Sequence, residues 1–140
     1  INLCVASEFV GQRGVRVLAP GGEVNPLSPD LMGEWALERL ASVSVDVAFF
    51  GCDAVDPGEG FYAADTKAAA ITRLMLGRAE RRVLLADASK FGRRSLCRIA
   101  GLDRLTDVVT CGGLDAGQRR AMERRGVRVT VAEVAAGGGR

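Results

Sequence analysis

Histidine is absent from the 140 residues, and lysine is nearly so: of nineteen basic side chains only Lys67 and Lys90 are lysine, the rest being arginine. Without an imidazole, Ser-His-Asp and Cys-His catalysis are excluded, and no mixed Cys/His zinc site can be assembled. Cysteines stand at 4, 52, 97 and 111 without paired metal-ligand spacing. They read as reduced, mostly buried cytosolic thiols, and no metal is expected. There is neither a G-x-G-x-x-G turn after a strand nor a G-x-x-x-x-G-K-[ST] loop, so no dinucleotide or nucleotide cofactor is expected. No apolar run approaches a membrane span, and the first residues carry no basic leader ahead of an apolar core. The expectation is therefore a cytoplasmic protein with no membrane partner. Net charge is +2 with acids and bases interspersed, which leaves no concentrated basic face for gripping nucleic acid.

What is present organises around residues 46–60. The apolar run 47–50 reads as a strand covered on both faces, as in a parallel sheet, and it feeds directly into glycines and carboxylates. Gly51 leaves room for close approach of backbone or ligand. Asp53 and Asp56 are placed to accept hydrogen bonds from hydroxyls arriving outside the sheet's carboxyl edge. Asp56-Pro57-Gly58 is equally ordinary turn chemistry, so Asp56 stands open between a ligand contact and a turn initiator. With 48% hydrophobic residues, the chain is long enough for one core and is expected to form one domain over 1–134, followed by a disordered tail over 135–140.

In chain order, 1–10 is compatible with a short buried helix. No cap or loop precedes Ile1, so a fragment of a longer protein, or the loss of an N-terminal strand, is expected. Residues 15–19 form a strand candidate closed by Pro20-Gly21-Gly22. The polar stretch 23–29 is either a binding loop or a simple crossover. Asp30 is placed to cap a helix to about Leu40, with Trp35 assigned to the core. Asp65 or Thr66 caps a second helix over 66–76 with a broad apolar stripe. A strand over 83–86 follows, then Asp87-Ala-Ser89-Lys90, a second strand end loaded with polar groups. Residues 96–100 read as one helical turn and 107–111 as a strand ending in Gly112-Gly113. Asp115 with Gln118 resembles a capping box for a helix over 116–125 stopped by Gly126, and 127–131 is the last strand. The arginines at 119–120 and 124–125 read as that helix's solvated face. Alternating strands and helices predict an α/β fold with a mostly parallel sheet flanked by helices.

A parallel sheet takes ligands outside the carboxyl ends of its strands. Three loops are expected to meet there: Gly21-Gly22 through Ser28, Gly51 through Gly60, and Asp87 through Lys90. Lys90 would meet an anionic group while Asp53, Asp56 and Asp87 orient hydroxyls, a combination suited to a phosphorylated polyol or sugar. The plainer role for Lys90 is a surface ion pair with Asp87, worth about 1 kcal/mol at most.

These residues also carry a resemblance. The run Asp46-Val-Ala-Phe-Phe-Gly-Cys-Asp-Ala-Val-Asp56, the helix around Arg73-Leu-Met-Leu76, and Leu85-Ala-Asp-Ala-Ser-Lys-Phe-Gly92 are together similar to the C-terminal sensor domain of DeoR-family transcriptional repressors. The resemblance covers roughly 1–132. It implies a Rossmann-like domain related to ribose-5-phosphate isomerase and glucosamine-6-phosphate deaminase. Such a domain would bind a phosphorylated sugar effector, self-associate, and control operator DNA binding by a winged helix-turn-helix outside this chain. By that carry-over Gly21, Gly22 and Ser28 belong to a Gly-Gly loop, Gly51, Asp53 and Gly60 to the central loop, and Asp87, Ser89 and Lys90 to the loop after the next strand. The family's first phosphate loop, an acidic residue followed by Gly-Thr-Thr, has no counterpart here, nor has the Thr-Asn before the first helix. Ala68 and Thr72 stand where many members carry Glu and Lys. An enzyme is the competing reading: an isomerase with Asp53 or Asp56 as base and Lys90 stabilising an enediolate. Against it, the isomerases' Asp-Gly-Ala-Asp-Glu run is here Gly51-Cys-Asp-Ala-Val55, and no catalytic residue is assigned. A third reading is an oligomerisation domain with a vestigial pocket.

Overall fold

The structure is a computed structural model that describes residues 1–133; the tail expected over 135–140 lies outside the described residues. Where one core was expected, the chain divides into two compact units, Ile1–Ser44 and Val45–Arg140.

The first unit opens with α1 (Leu3–Glu8), which starts where Asn2 turns its side chain onto the helix and accepts the Val5 amide at 3.0 Å. The helix is where the sequence placed it, but it is shorter and none of its residues is buried. The strand expected over 15–19 is not formed. Val15, Val17 and Leu18 are exposed and find no ladder partner among the described residues, and an unpaired extended run is not a strand. The pairing occurs in the stretch read as a polar loop, where β1 (Glu23–Val24) and β2 (Leu31–Met32) form an antiparallel pair. Asp30 does not cap a helix. Its carboxylate accepts from Asn2 Nδ2 and from Ser28 Oγ, both at 2.8 Å, and so ties the entry of α1 to the turn before β2. The helix α2 (Glu34–Ala41) begins instead after Gly33, whose φ of 90° lies in glycine's region. Trp35, assigned to the core from sequence, is 74% exposed, because Ala36 is the residue of this helix turned inward at 0%.

The second unit carries a four-stranded, wholly parallel sheet. Its strands are β3 (Val45–Phe50), β6 (Ala79–Leu85), β8 (Asp107–Cys111) and β9 (Arg128–Ala132), in the order β3-β6-β8-β9. Between them in the chain lie β4 (Ala54–Asp56), β5 (Gly60–Ala63), α3 (Thr66–Arg78), β7 (Cys97–Ala100) and α4 (Ala116–Glu123). Register aligns Phe50 with Leu84, Leu84 with Val108 and Val108 with Val129. That row crosses the sheet and every member is buried. It joins Leu76 of α3, Met122 of α4 and the stacked pair Phe50–Phe61, whose ring centroids are 6.0 Å apart, in one core.

Both helices of this unit start as expected. Asp65 accepts the Ala68 amide at 2.9 Å, and Asp115 accepts those of Gly117 and Gln118 at 2.8 and 3.1 Å. Two features differ from the expectation. Residues 54–63 form a hairpin rather than a loop, and 97–100, read as a helical turn, are the strand β7 that completes an antiparallel sheet β4-β5-β7. Arginine side chains hold this second sheet: Arg73 Nε donates to the Ile99 carbonyl at 3.1 Å, and Arg98 Nε to that of Glu59 at 3.0 Å. Such long-range donors leave no periodic trace in the sequence.

Candidate functional site

Three strands of the parallel sheet end in polar or glycine-rich loops on one edge. After β3 the chain passes through Gly51, Cys52 and Asp53 into β4. After β6 it passes Asp87 and the 3-10 turn Ala88–Lys90. Backbone bonds fasten the second loop to the first: Val55 bridges Phe91, and the Val55 carbonyl accepts the amides of Gly92 at 2.8 Å and Arg93 at 3.2 Å. The third strand end, Gly112-Gly113 after β8, closes on the same place. A Cβ at Gly113 would lie 3.5 Å from the Ala88 side chain, and one at Gly92 would lie 3.1 Å from Gln118 Nε2. Gly112-Gly113 lies outside the site expected from sequence, although it carries the same kind of signal as Gly51, an apolar run followed at once by glycine.

Within this edge Asp87 Oδ1 accepts the Ser89 amide at 2.9 Å and also the Ser89 hydroxyl. Those bonds, the hydroxyl first, hold the Asp87 carboxyl below its ordinary range. The bond to the amide also holds the 3-10 turn that brings Lys90 to the edge. Lys90 is half-buried, and among the described residues no hydrogen bond or ion pair engages its ammonium. The surface pair with Asp87 that sequence reading weighed against a ligand role is therefore not formed as a contact.

Asp53 Oδ2 accepts the Ala64 amide at 2.7 Å, and its own amide donates to Tyr62 at 2.9 Å, so its carboxylate is fixed by the end of β5 while the residue stays exposed. Cys52 reports the crowding of the two loops. Burial first, and then the charge of Asp53, push its thiol up to about 12, with Lys90 and Asp87 also acting on it. It is a neutral wall rather than a nucleophile.

The other residues singled out from sequence frame this edge or lie outside its unit. Asp56 is committed on both oxygens: Oδ1 accepts the amides of Gly58 at 2.8 Å and Glu59 at 3.2 Å, while Oδ2 pairs with Arg94 Nε at 2.6 Å. Arg94 first, and then the turn amides, lower its pKa. Gly60 has φ 145°, and a Cβ there would lie 2.0 Å from the Ala100 carbonyl oxygen, so glycine is what lets β5 approach β7. Gly21, Gly22 and Ser28 belong to the first unit. Gly22, at φ 106°, would place a Cβ 2.4 Å from the Met32 carbonyl oxygen, and the Ser28 hydroxyl is spent on Asp30. Gly21, at φ 76°, would meet nothing within 4 Å. Among the described residues no group of three or more Cys, Asp and Glu has metal-binding geometry, and no helix is long and apolar enough to cross a membrane.

A four-stranded parallel sheet flanked by helices, with polar and glycine-rich strand ends on one edge, is a Rossmann-like fold. The sequence comparisons name the family. The profile of the DeoR C terminal sensor domain matches residues 1–111, and the chain belongs to that family. Among curated relatives, it is 34% identical over 109 residues to the HTH-type transcriptional regulator GlpR of Haloferax volcanii, covering 78% of this chain and 43% of that protein. It is 24% identical over 106 residues to the L-fucose operon activator of Escherichia coli K12, covering 76% and 44%. It is 23% identical over 109 residues to the glycerol-3-phosphate regulon repressor of the same organism, covering 78% and 43%. The chain spans about half the length of the curated relatives it matches.

Proposed function

We propose that this chain is the effector-sensing and self-associating part of a cytoplasmic transcriptional regulator, and that its effector is a phosphorylated sugar or sugar alcohol. Through that effector it controls operator binding by a helix-turn-helix outside these residues. The observation that carries the reading is half-buried Lys90, whose ammonium is unengaged among the described residues, on the edge that also carries the Asp53 and Asp87 carboxylates. A cation without a carboxylate partner favours an anionic ligand, and the surrounding acceptors favour a hydroxylated one. Two relatives are named for control of a glycerol-3-phosphate regulon and of an L-fucose operon, a phosphorylated polyol and a sugar. They include an activator as well as a repressor.

The reading is non-enzymatic. Asp56 has both oxygens occupied by the turn and Arg94, and Asp53 is held by the Ala64 amide, so neither carboxylate is poised as a free base.

Thermal unfolding of the wild-type chain and of Lys90→Ala, run against sugar phosphates and their unphosphorylated parents, tests the proposal. At about 100-fold over Kd an effector stabilises by about 2.7 kcal/mol. The expected result is a melting shift for one phosphorylated ligand that the unphosphorylated parent does not give and the variant loses. A shift that survives Lys90→Ala, or no shift with any phosphate, sinks it.

A further inference from the structure

The loops bearing Asp53 and Lys90 are fastened to each other at β4. Cys52 and Asp53 run directly into that strand, and Lys90 runs directly into a strap, residues 91–94, laid against it. The backbone part of this fastening is small. It consists of one isolated bridge, Phe91 to Val55, and one carbonyl, that of Val55, shared by the amides of Gly92 and Arg93. Among the described residues no turn or loop backbone bond holds 94–96 before β7 begins at Cys97. What completes the fastening is a side chain: Arg94 Nε meets Asp56 Oδ2 at 2.6 Å, with Glu59 Oε1 3.7 Å from Arg94 Nη2. Asp56 is itself immobilised, because its other oxygen accepts the amides of Gly58 and Glu59. The turn so closed is held from two further directions, by Arg98 Nε on the Glu59 carbonyl at 3.0 Å and by Arg125 Nη2 on the Gly58 carbonyl at 2.9 Å. Of these three arginines only Arg94 belongs to the strap.

We infer that Arg94 is a positioning residue for Lys90: its pair with the fixed carboxylate of Asp56 latches the strap to β4 and so sets the spacing between Lys90 and Asp53. A strap held by one shared carbonyl, with 92–94 exposed, opens locally at little cost. Gly92, at φ 75°, gives it a pivot directly beyond Phe91. An exposed ion pair is ordinarily weak because two side chains must be ordered to form it. Here one partner is ordered in advance by the turn, and only Arg94 loses freedom. Asp56, a ligand contact or a turn initiator by sequence, thus acts through another residue. That the spacing serves an effector rests on the function proposed above; the latch itself does not.

Because Lys67 and Lys90 are the two lysines of the chain, brief acetylation with acetic anhydride reads Lys90 against Lys67 in one peptide map. Arg94→Ala and Asp56→Asn, the latter keeping an acceptor for the turn amides, are each expected to raise the Lys90-to-Lys67 ratio about threefold as the half-buried amine is released. The double variant raises it no further, and Arg94→Lys brings it back to the wild-type value. Arg98→Ala and Arg125→Ala loosen the same turn without touching the strap, so they lower stability in urea and leave the ratio unchanged. A ratio unchanged in Arg94→Ala, or raised equally in Arg125→Ala, overturns the latch. Glycerol 3-phosphate and glucose 6-phosphate, added to wild type before acetylation, separate the two readings. A raised ratio in both single variants without protection of wild-type Lys90 upholds the latch and counts against the effector role. Protection of wild-type Lys90 with an unchanged ratio in Arg94→Ala overturns the latch and leaves the effector role standing.

Discussion

The two units bury their apolar residues to very different degrees. Every member of the hydrophobic core cluster comes from the second unit, between Ala48 and Val129, whereas the buried hydrophobic side chains of the first are Leu31, Met32 and Ala36. Among the described residues the first unit exposes twelve large hydrophobic side chains, and the second exposes six in about twice the length. Burial at about 25 cal/mol per Å² is thus concentrated in the parallel sheet and its helices. The first unit relies on the Asn2 cap, the Asp30 bonds and a two-residue ladder. An element that leaves so much apolar surface uncovered is suited to contact other molecules. The packed element is suited to hold its strand-end loops at fixed geometry.

Mutations placed in parallel in the two units sharpen that contrast. The largest effect is expected from Phe61→Ala, which empties a fully buried ring site stacked on Phe50 and costs about 3–5 kcal/mol in urea unfolding. Val5→Ala in α1, at 59% exposure, costs less than about 0.5 kcal/mol. Equal costs would break the comparison by showing that α1 is covered in solution.

Cysteines probe the same difference chemically. Cys52, with its thiol pushed up to about 12 by burial, should react with iodoacetamide on the order of a thousandfold more slowly than an ordinary thiol. Cys4, exposed in the first unit, should be modified first. Peptide mapping after timed alkylation reads both, and similar rates at the two positions would contradict the packing described around Cys52.

Glycines give the next contrast. Gly60→Ala drives a Cβ to 2.0 Å from the Ala100 carbonyl oxygen at φ 145° and is expected to cost about 2–3 kcal/mol. Gly21→Ala, at φ 76° with no atom within 4 Å, meets the backbone penalty alone, about 1 kcal/mol. A Gly21→Ala cost as large as that at Gly60 would mean the first unit packs more tightly there than its open surface indicates.

The last contrast is electrostatic and belongs to the amino edge of the sheet. Asp107, only 3% exposed, accepts from both Arg81 Nε and Nη2, at 2.9 and 2.8 Å, as well as from Thr106 Oγ1 at 2.7 Å. Arg81 chiefly, against the opposing cost of burial, holds its carboxyl down to about 2 from an ordinary 3.8. A depressed folded value means that the stabilisation is complete above the unfolded pKa and is lost as pH falls through the folded one. Stability should therefore decline between about pH 4 and pH 2, by about 1–2 kcal/mol once the half-exposed arginine is discounted for solvent screening. Asp107→Asn should remove that part of the acid dependence; an unchanged acid limb in the variant would assign it to other carboxylates.

Much of the second unit was legible in residues alone, for local reasons. The strand over 107–111 and the helices capped by Asp65 and Asp115 follow from apolar runs bounded by caps and glycines. The two loops bearing Asp53 and Lys90 were legible for the same reason, since each is a strand end. The hairpin β4-β5 was hidden because Asp56-Pro57-Gly58 reads as any turn. Strand β7 was hidden because its ladder partner, β5, lies more than thirty residues earlier. Arg125 is exposed, as its assignment to a solvated face expects, and also donates to the Gly58 carbonyl at 2.9 Å, a contact that no spacing rule announces.

By itself the sequence determined the α/β class, the parallel strands, the caps and the polar strand ends, because each of these depends on neighbours a few residues away. Tertiary structure alone decided which side chains remain available for function. Asp56 loses both oxygens to Arg94 and a turn, and Ser28 spends its hydroxyl on Asp30. Lys90 keeps its ammonium free of described partners, and Trp35 faces outward because Ala36 occupies the inward position of its helix. A polar group's function depends on what its hydrogen-bonding capacity is not already spent on, and that balance is set by residues distant in the chain.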